Sequence, residues 1–97
     1  MKVEQMINSR GNGAMNQFII TDGDRIVFQS YSSMIAEVNY QTKVIYIGAN
    51  WNYSTTTSKH RNIFFSDYVA MSELATKKGL QKALDEGKYK DWTVRRA

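Results

Sequence analysis

The segment Ser54–His60 holds the residues that come closest to a catalytic set. It contains five consecutive hydroxyl side chains, then Lys59 and the single histidine of the chain, His60. A serine beside a base could act as a nucleophile, and hydroxyls at a helix start could hold an anion. The same hydroxyls could simply cap the first N–H groups of a helix, with His60 packing beside Phe64 one turn later. Capping explains each residue type without a ligand, so we predict no catalytic residue here.

Other combinations that could bind a metal or a cofactor are incomplete. Asp22 and Asp24 flank Gly23, but a calcium loop needs more oxygen ligands and a final glutamate, whereas Asp-Gly is typical of a hairpin turn. The run from Gly11 to Gly13 lacks the spacing and the Lys-Ser/Thr pair of a phosphate loop. Cysteine is absent, which excludes disulfides, thiolate metal sites and cysteine nucleophiles. The sequence therefore predicts no metal, no cofactor and no enzyme.

Seven of the twelve aromatic residues lie on or beside the predicted sheet. Such rings can form a core, stack on nucleic-acid bases, or anchor a partner protein. Residues 1–58 carry four basic and four acidic side chains and hold no RNA-binding aromatic motif, which favours a protein partner over bases. Most of the rings are expected in the core. The candidate partner-binding aromatics are Tyr31, Tyr46, Trp51 and Tyr53.

The positive charge lies in the last 39 residues. Residues 59–97 carry nine basic and five acidic side chains, which accounts for the whole net charge of +4. A basic region can be a solvated helix face, or it can attract phosphates or an acidic protein. Because acids are interspersed, we expect only weak binding to nucleic acid. The candidate partner-binding residues of this region are Lys59, His60, Lys77, Lys78 and Lys82.

The hydrophobic pattern has period two up to Gly48 and period 3.6 after Trp51. The first part predicts a four-stranded antiparallel sheet over about residues 15–48, and the second part predicts two short helices packed on one of its faces. The fold class is therefore α+β. The predicted strands are Met15–Thr21, Arg25–Tyr31, Met34–Tyr40 and Lys43–Gly48, and the predicted helices are Thr57–Phe65 and Thr76–Glu86. In the second helix Thr76 is the expected cap and Gly87 the expected stop.

A length of 97 residues fits one domain, residues 1–97. Residues 1–13 are expected to be irregular, with a turn cluster over residues 9–13. Residues 88–97 are expected to form a basic tail that either frays or adds a short extended piece through Trp92 and Val94. The first residues lack the apolar run of a signal peptide, and no stretch approaches the ~18 apolar residues of a membrane span. With no cysteine, these features favour the cytoplasm and no membrane partner. Free sheet edges and an uncovered face are also compatible with a homodimer.

Several segments together resemble a family of small uncharacterised proteins of bacteriophages and prophages. The resemblance covers about residues 11–87 and includes a terminal helix over Thr76–Gly87. It rests on the patterns GNxAxNQF, FxSYxSxIA and WxYSxTTxK followed by Tyr or His, which here begin at Gly11, Phe28 and Trp51.

The resemblance implies a phage-derived accessory protein that binds and inhibits or redirects a host protein in the host cytoplasm. One version of that role is an anti-CRISPR-type inhibitor acting on a defence nuclease or its complex. A basic chain of pI about 9.4 is a poor mimic of nucleic acid, so it would bind an acidic or apolar protein surface, or bind nucleic acid alongside its target. The alternative, drawn from charge alone, is a small nucleic-acid-binding module that uses the C-terminal third.

Overall fold

A computed structural model describes residues 1–7 and 10–97 of the chain. These residues form a single sheet with two α-helices, a π-helical turn and a 3₁₀ turn. The strands are β1 (Lys2–Ile7), β2 (Gly13–Asp22), β3 (Arg25–Ser30), β4 (Ser33–Asn39), β5 (Val44–Ile47), β6 (Lys88–Tyr89) and β7 (Trp92–Arg96). The helices are α1 (Thr55–Ile63) and α2 (Lys77–Glu86), and between them lie the π-helical turn Phe64–Tyr68 and the 3₁₀ turn Ser72–Leu74.

The sheet is mixed and is ordered β1-β2-β3-β4-β5-β7-β6. Strands β1 to β5 follow one another as an antiparallel meander, and β6 pairs antiparallel with β7. The β5–β7 pair is parallel. A parallel pair needs a long crossover between its strands, and here both helices lie within that crossover.

The prediction of a four-stranded sheet is wrong, because the sheet has seven strands. The four predicted strands correspond to β2–β5, but β1 lies in the segment expected to be irregular, and β6 and β7 lie in the expected tail. β1 is an edge strand that buries only Met6. Its sequence therefore has no apolar alternation from which a strand could be predicted. The pairing of β7 with β5 is a long-range contact that no local pattern shows. The predicted turn cluster over residues 9–13 begins at Ser9, which lies outside the described residues.

Both helices are capped by hydroxyl side chains. The Ser54 hydroxyl accepts a hydrogen bond from the N–H of Thr57 at 3.1 Å, so α1 begins two residues before the predicted start. Thr76 caps α2 in the same way through the N–H of Gly79, and Gly87 ends that helix with a left-handed φ of 70°. The predicted cap and stop of α2 are therefore confirmed.

The core lies between the helices and one face of the sheet. Phe28 of β3 stacks on Phe64 at 5.9 Å between ring centroids, and Phe64 contacts Phe65 edge-on at 5.2 Å. All three rings are fully buried. Because successive strand residues face opposite sides, Val27 and its cross-strand neighbours Ile20 and Glu37 lie on the face away from the helices.

Gly79 is required by close packing although glycine weakens a helix. A Cβ at this position would lie 2.0 Å from the carbonyl oxygen of Glu73 and 2.9 Å from the Thr76 hydroxyl. Helix propensity alone predicts that Gly79→Ala stabilises the protein by about 1 kcal/mol. We expect the steric conflict to prevail and the change to cost about 1–3 kcal/mol, measured by urea unfolding. Lys78→Ala, exposed on the same helix, is the control and should stay within about 0.5 kcal/mol of wild type; a stabilised Gly79→Ala protein would contradict this packing.

A polar cluster joins β6 to the 3₁₀ turn. The Tyr89 hydroxyl donates to the carboxylate of Glu73, and the Lys90 ammonium lies 3.7 Å from the same carboxylate. The hydrogen bond from Tyr89, with a smaller effect of Lys90, lowers the pKa of Glu73 from its ordinary value. The charged carboxylate is therefore favoured by folding, and this contribution is lost as the pH falls through the lowered pKa.

We expect the tyrosine hydroxyl to account for part of the acid sensitivity of the fold. Tyr89→Phe should reduce the loss of thermal stability between neutral pH and about pH 3, because Glu73 then returns toward its ordinary pKa. Melting temperatures of both proteins across that range give the comparison. An identical pH dependence in the two proteins would contradict the assignment.

Candidate functional site

An open groove of about 570 Å³ lies where three segments meet: the β3–β4 turn, the chain after β5 and the start of α1. We call it the tyrosine groove. Its lining is made of hydroxyl groups, one amide, one isoleucine and two tyrosines, with no carboxylate, amine, guanidinium or imidazole. The lining residues are Ser30, Tyr31, Ser32, Ser33, Ile35, Asn50, Tyr53, Ser54, Thr56 and Thr57.

Tyr31 occupies the first position of the two-residue turn between β3 and β4. Its φ of 55° is left-handed, a conformation that costs an L-residue other than glycine about 1–2 kcal/mol. The Tyr31 N–H donates to the Asn16 carbonyl at 2.7 Å, and the Gln29 side-chain amide donates to the Tyr31 carbonyl at 2.7 Å. These bonds hold the backbone while 56% of the residue stays exposed.

Tyr53 projects from the opposite wall of the groove and is 77% exposed. Its N–H donates to the Asn50 carbonyl at 3.1 Å, which forms a turn just before the Ser54 cap. The Asn50 side-chain amide donates to the Ser33 hydroxyl at 3.1 Å, so it ties this wall to the β3–β4 turn. The two chain segments that carry the exposed tyrosines are thus linked by the side-chain hydrogen bond between Asn50 and Ser33.

The inner part of the groove is a chain of hydroxyls. Ser30 and Thr57, both buried, share a hydrogen bond of 3.1 Å, and the Ser54 hydroxyl donates to Thr57 at 3.1 Å. Neither ring nitrogen of His60 forms a hydrogen bond with these hydroxyls. Its Nδ1 donates to the Thr56 carbonyl at 2.8 Å, and its Nε2 has no hydrogen-bond partner in the described part of the chain. The hydroxyls therefore cap and connect, and the geometry offers no base to activate them.

Behind the groove, Trp51 and Arg61 fasten the start of α1 to the chain after β5. Arg61 is 1% exposed, and its Nη1 donates to the Trp51 carbonyl at 2.9 Å. Its Nε and Nη2 donate to the Asn62 side-chain oxygen at 3.3 and 3.1 Å, and the guanidinium lies 5.1 Å from the Trp51 ring centroid. Within residues 1–7 and 10–97, no carboxylate lies in ion-pair range of Arg61. Burial lowers the pKa of Arg61, but arginine still carries its charge at neutral pH.

Of the predicted partner-binding residues, Tyr31 and Tyr53 line the tyrosine groove. Trp51 and His60 are each 7% exposed and support the groove from inside.

Tyr46 lies on the sheet face away from the helices, between Glu37 and Arg95 of the neighbouring strands. Lys59 is exposed on α1. The three lysines of α2 line a separate surface together with Gln81, Asp85 and Glu86; they are Lys77, Lys78 and Lys82.

Sequence reasoning missed Asn50 and Arg61 as supports of the site. A serine pair near 30–33 and a hydroxyl run near 54–58 are visible in the sequence, but nothing local shows that they meet. The meeting depends on the β3–β4 turn and the start of α1 lying at the same end of the sheet. An arginine in a polar segment gives no signal that it will be buried.

The chain belongs to DUF8033, a family of unknown function. That family model matches residues 1–86, which include every residue of the tyrosine groove, β1 and all of α2. A search of the curated proteins finds no match to this chain, and a search of the solved structures finds none either.

Among residues 1–7 and 10–97, no helix is both long enough and apolar enough to cross a membrane. Over the same residues, no group of three or more histidine, aspartate or glutamate side chains is placed to hold a metal ion.

Proposed function

We propose that this chain is a small binding protein that contacts a partner protein through the tyrosine groove. The observation that carries the proposal is the pair of exposed tyrosines, Tyr31 and Tyr53, on the two walls of one open groove. Tyrosine is enriched among residues that dominate binding energies, because a rigid ring offers contact area and a hydroxyl at low entropic cost. The surrounding hydroxyls can bond to polar groups of the partner's backbone.

The backbone conformation at Tyr31 favours a role for its ring in binding over a role in stabilising the fold. A glycine would adopt φ 55° without the penalty that a tyrosine incurs there. Left-handed residues also occur in turns, as at Lys43 and Lys90, but strained positions cluster at binding and catalytic sites. The ring is more than half exposed, so burial in the core does not account for the residue.

The neutral lining favours a protein segment over a phosphate or a metal ion. Phosphate sites use arginine, lysine or several free N–H groups, and metal sites use carboxylates or imidazoles. The tyrosine groove has neither kind of side chain. We therefore propose binding and not catalysis as its activity.

The phage resemblance supports a host protein in the host cytoplasm as the partner, with inhibition or redirection as the outcome. In this proposal the partner is a defence nuclease or another component of host machinery. Two of the three resembling segments, those beginning at Phe28 and Trp51, supply most of the groove lining. The groove is therefore the surface on which a shared partner would be recognised.

Site-specific photo-crosslinking in lysate of the native host tests this proposal. A photoreactive phenylalanine replaces Tyr53 in one sample and Tyr40 in the control, with nuclease treatment before capture. Tyr40 is also exposed, but it follows β4 at its far end, roughly 23 Å from Ser33 at about 3.3 Å per residue. We expect one protein cross-linked from position 53 and absent from position 40. Equal cross-linking from both positions, or none from position 53, would refute the groove as the contact surface.

A second candidate function, weak nucleic-acid binding, is favoured by the lysines of α2. Lys77, Lys78 and Lys82 are exposed, and no carboxylate of the described residues lies in ion-pair range of them. Such cations can contact phosphates, and the surface they line is separate from the tyrosine groove.

If the α2 lysines contact phosphates, affinity should fall by about 0.7–0.9 log unit per log unit of salt for each contact. We expect a dissociation constant of about 10⁻⁴–10⁻⁶ M at physiological salt and a shallower salt slope in the Lys77→Ala/Lys78→Ala/Lys82→Ala variant. Fluorescence titration with a labelled duplex measures both. An unchanged slope in the variant would exclude this surface as the phosphate contact.

A further inference from the structure

Strand β1 lies at one edge of the sheet in the part of the chain that the structure describes. It stands first in the sheet order, and among the described residues β2 is the strand it pairs with. An edge strand presents a row of backbone N–H and C=O groups, and such rows readily pair with another strand. Val3, the second residue of β1, is 57% exposed, and the strand contains no proline to block pairing.

An apolar row leads across the sheet to Val3 and stops there. The pairing registers place Val3 opposite Ile20, and Ile20 opposite Val27, on the face away from the helices. These three side chains form a short apolar row that begins beside Glu37 of β4 and ends at the β1 edge. A second Val3 placed beside the first would continue the row from both sides.

The charges that flank Val3 are opposite in sign. Lys2 precedes it and Glu4 follows it; both side chains lie on the other face of the strand, where the Lys2 ammonium lies 4.0 Å from the Glu4 carboxylate. When two copies of β1 pair antiparallel about a two-fold axis through Val3, each Lys2 faces the Glu4 of the second copy. An axis through Lys2 or Glu4 would set like charges directly opposite each other, and an axis through Gln5 would leave Glu4 opposite Met6.

We propose that the chain forms a homodimer through β1, with antiparallel pairing of the two β1 strands about Val3. The two seven-stranded sheets become one continuous sheet across the two-fold axis. Two Val3 side chains meet on one face and two Lys2–Glu4 pairs form on the other. The self-complementary order of charges selects a second copy of this chain as the partner and sets the register.

Charge reversal on β1 tests the dimer and its register together. The variants are Lys2→Glu, Glu4→Lys and the double exchange, and Lys59→Glu makes the same charge change on α1 as a control. Sedimentation over a wide concentration range measures the dimer dissociation constant, and a thermal melt checks that each variant is folded. The relevant mass is twice the 11.2 kDa of the chain.

We expect a wild-type dimer whose dissociation constant rises at least about tenfold in each single β1 variant, because two attractive pairs become repulsive. The double exchange should restore wild-type affinity, and Lys59→Glu should leave it unchanged. A monomer at every concentration, a dimer that tolerates Lys2→Glu, or a double exchange that fails to restore pairing would each overturn the proposal.

Discussion

Replacing Arg61 by alanine is expected to lower the free energy of unfolding by about 3–5 kcal/mol. The guanidinium is buried, donates to the Trp51 carbonyl and to the Asn62 side chain, and lies against the Trp51 ring. Its removal leaves a cavity and an unpaired buried carbonyl at the same point. A loss of this size is a large fraction of the stability of a domain with 97 residues.

Two further variants separate the contributions of Arg61. Arg61→Lys keeps the charge but loses the planar guanidinium that spans Trp51 and Asn62, so we expect it to be clearly destabilised as well. Lys59→Ala, two residues away and exposed, should stay within about 0.5 kcal/mol of wild type. Urea unfolding of all three measures the differences, and an Arg61→Ala protein as stable as Lys59→Ala would show that the buried contacts contribute little.

The central meander could be predicted because each of its strands alternates along its own length. Within each strand, buried residues such as Ile19 in β2, Phe28 in β3 and Val38 in β4 alternate with residues on the other face. The Asp-Gly pair at 22–23 marks the turn between β2 and β3. The cap of α2 could be predicted for a similar reason, since Thr76 and Gly87 bracket an apolar stripe. Each of these features is local, and local patterns are what a sequence displays directly.

The outer strands escaped prediction for two reasons: β1 shows no apolar alternation, and β7 pairs with β5, which lies far away in the chain. β1 buries only Met6, and it forms a strand because its backbone pairs with the edge of β2. β7 pairs with β5 across a crossover that contains both helices, so Val94 reaches Ile45 only after the whole fold is assembled. The short strand β6 then pairs with β7, and this turns the expected tail into part of the sheet.

The candidate site was predictable in part. Tyr31 and Tyr53 were identifiable as aromatics beside strand ends, where rings are available to partners. Their convergence was not predictable, because it requires the β3–β4 turn and the start of α1 to meet. Trp51 and His60 share the same sequence neighbourhood but are buried, and Tyr46 lies on a different face.

Removal of both groove tyrosines is expected to weaken partner binding at least about 100-fold. The variant Tyr31→Gly/Tyr53→Ser deletes both exposed rings. At position 31, glycine relieves a backbone penalty of about 1–2 kcal/mol and adds about 0.5–1 kcal/mol of entropic cost. Tyr53 is 77% exposed, so its loss removes little packing. The free energy of unfolding should therefore change by no more than about 1 kcal/mol.

The most direct test is calorimetric titration of the protein cross-linked from position 53 with wild type, Tyr31→Gly/Tyr53→Ser and the matched variant Tyr40→Ser. Each variant is also melted, because the Tyr40 ring contacts Trp92 at 5.4 Å and its removal can lower stability. We predict that binding is lost in the double groove variant while its melting temperature stays near that of wild type, and that Tyr40→Ser binds as wild type does. Wild-type affinity in a folded Tyr31→Gly/Tyr53→Ser protein would contradict the tyrosine groove as the binding site.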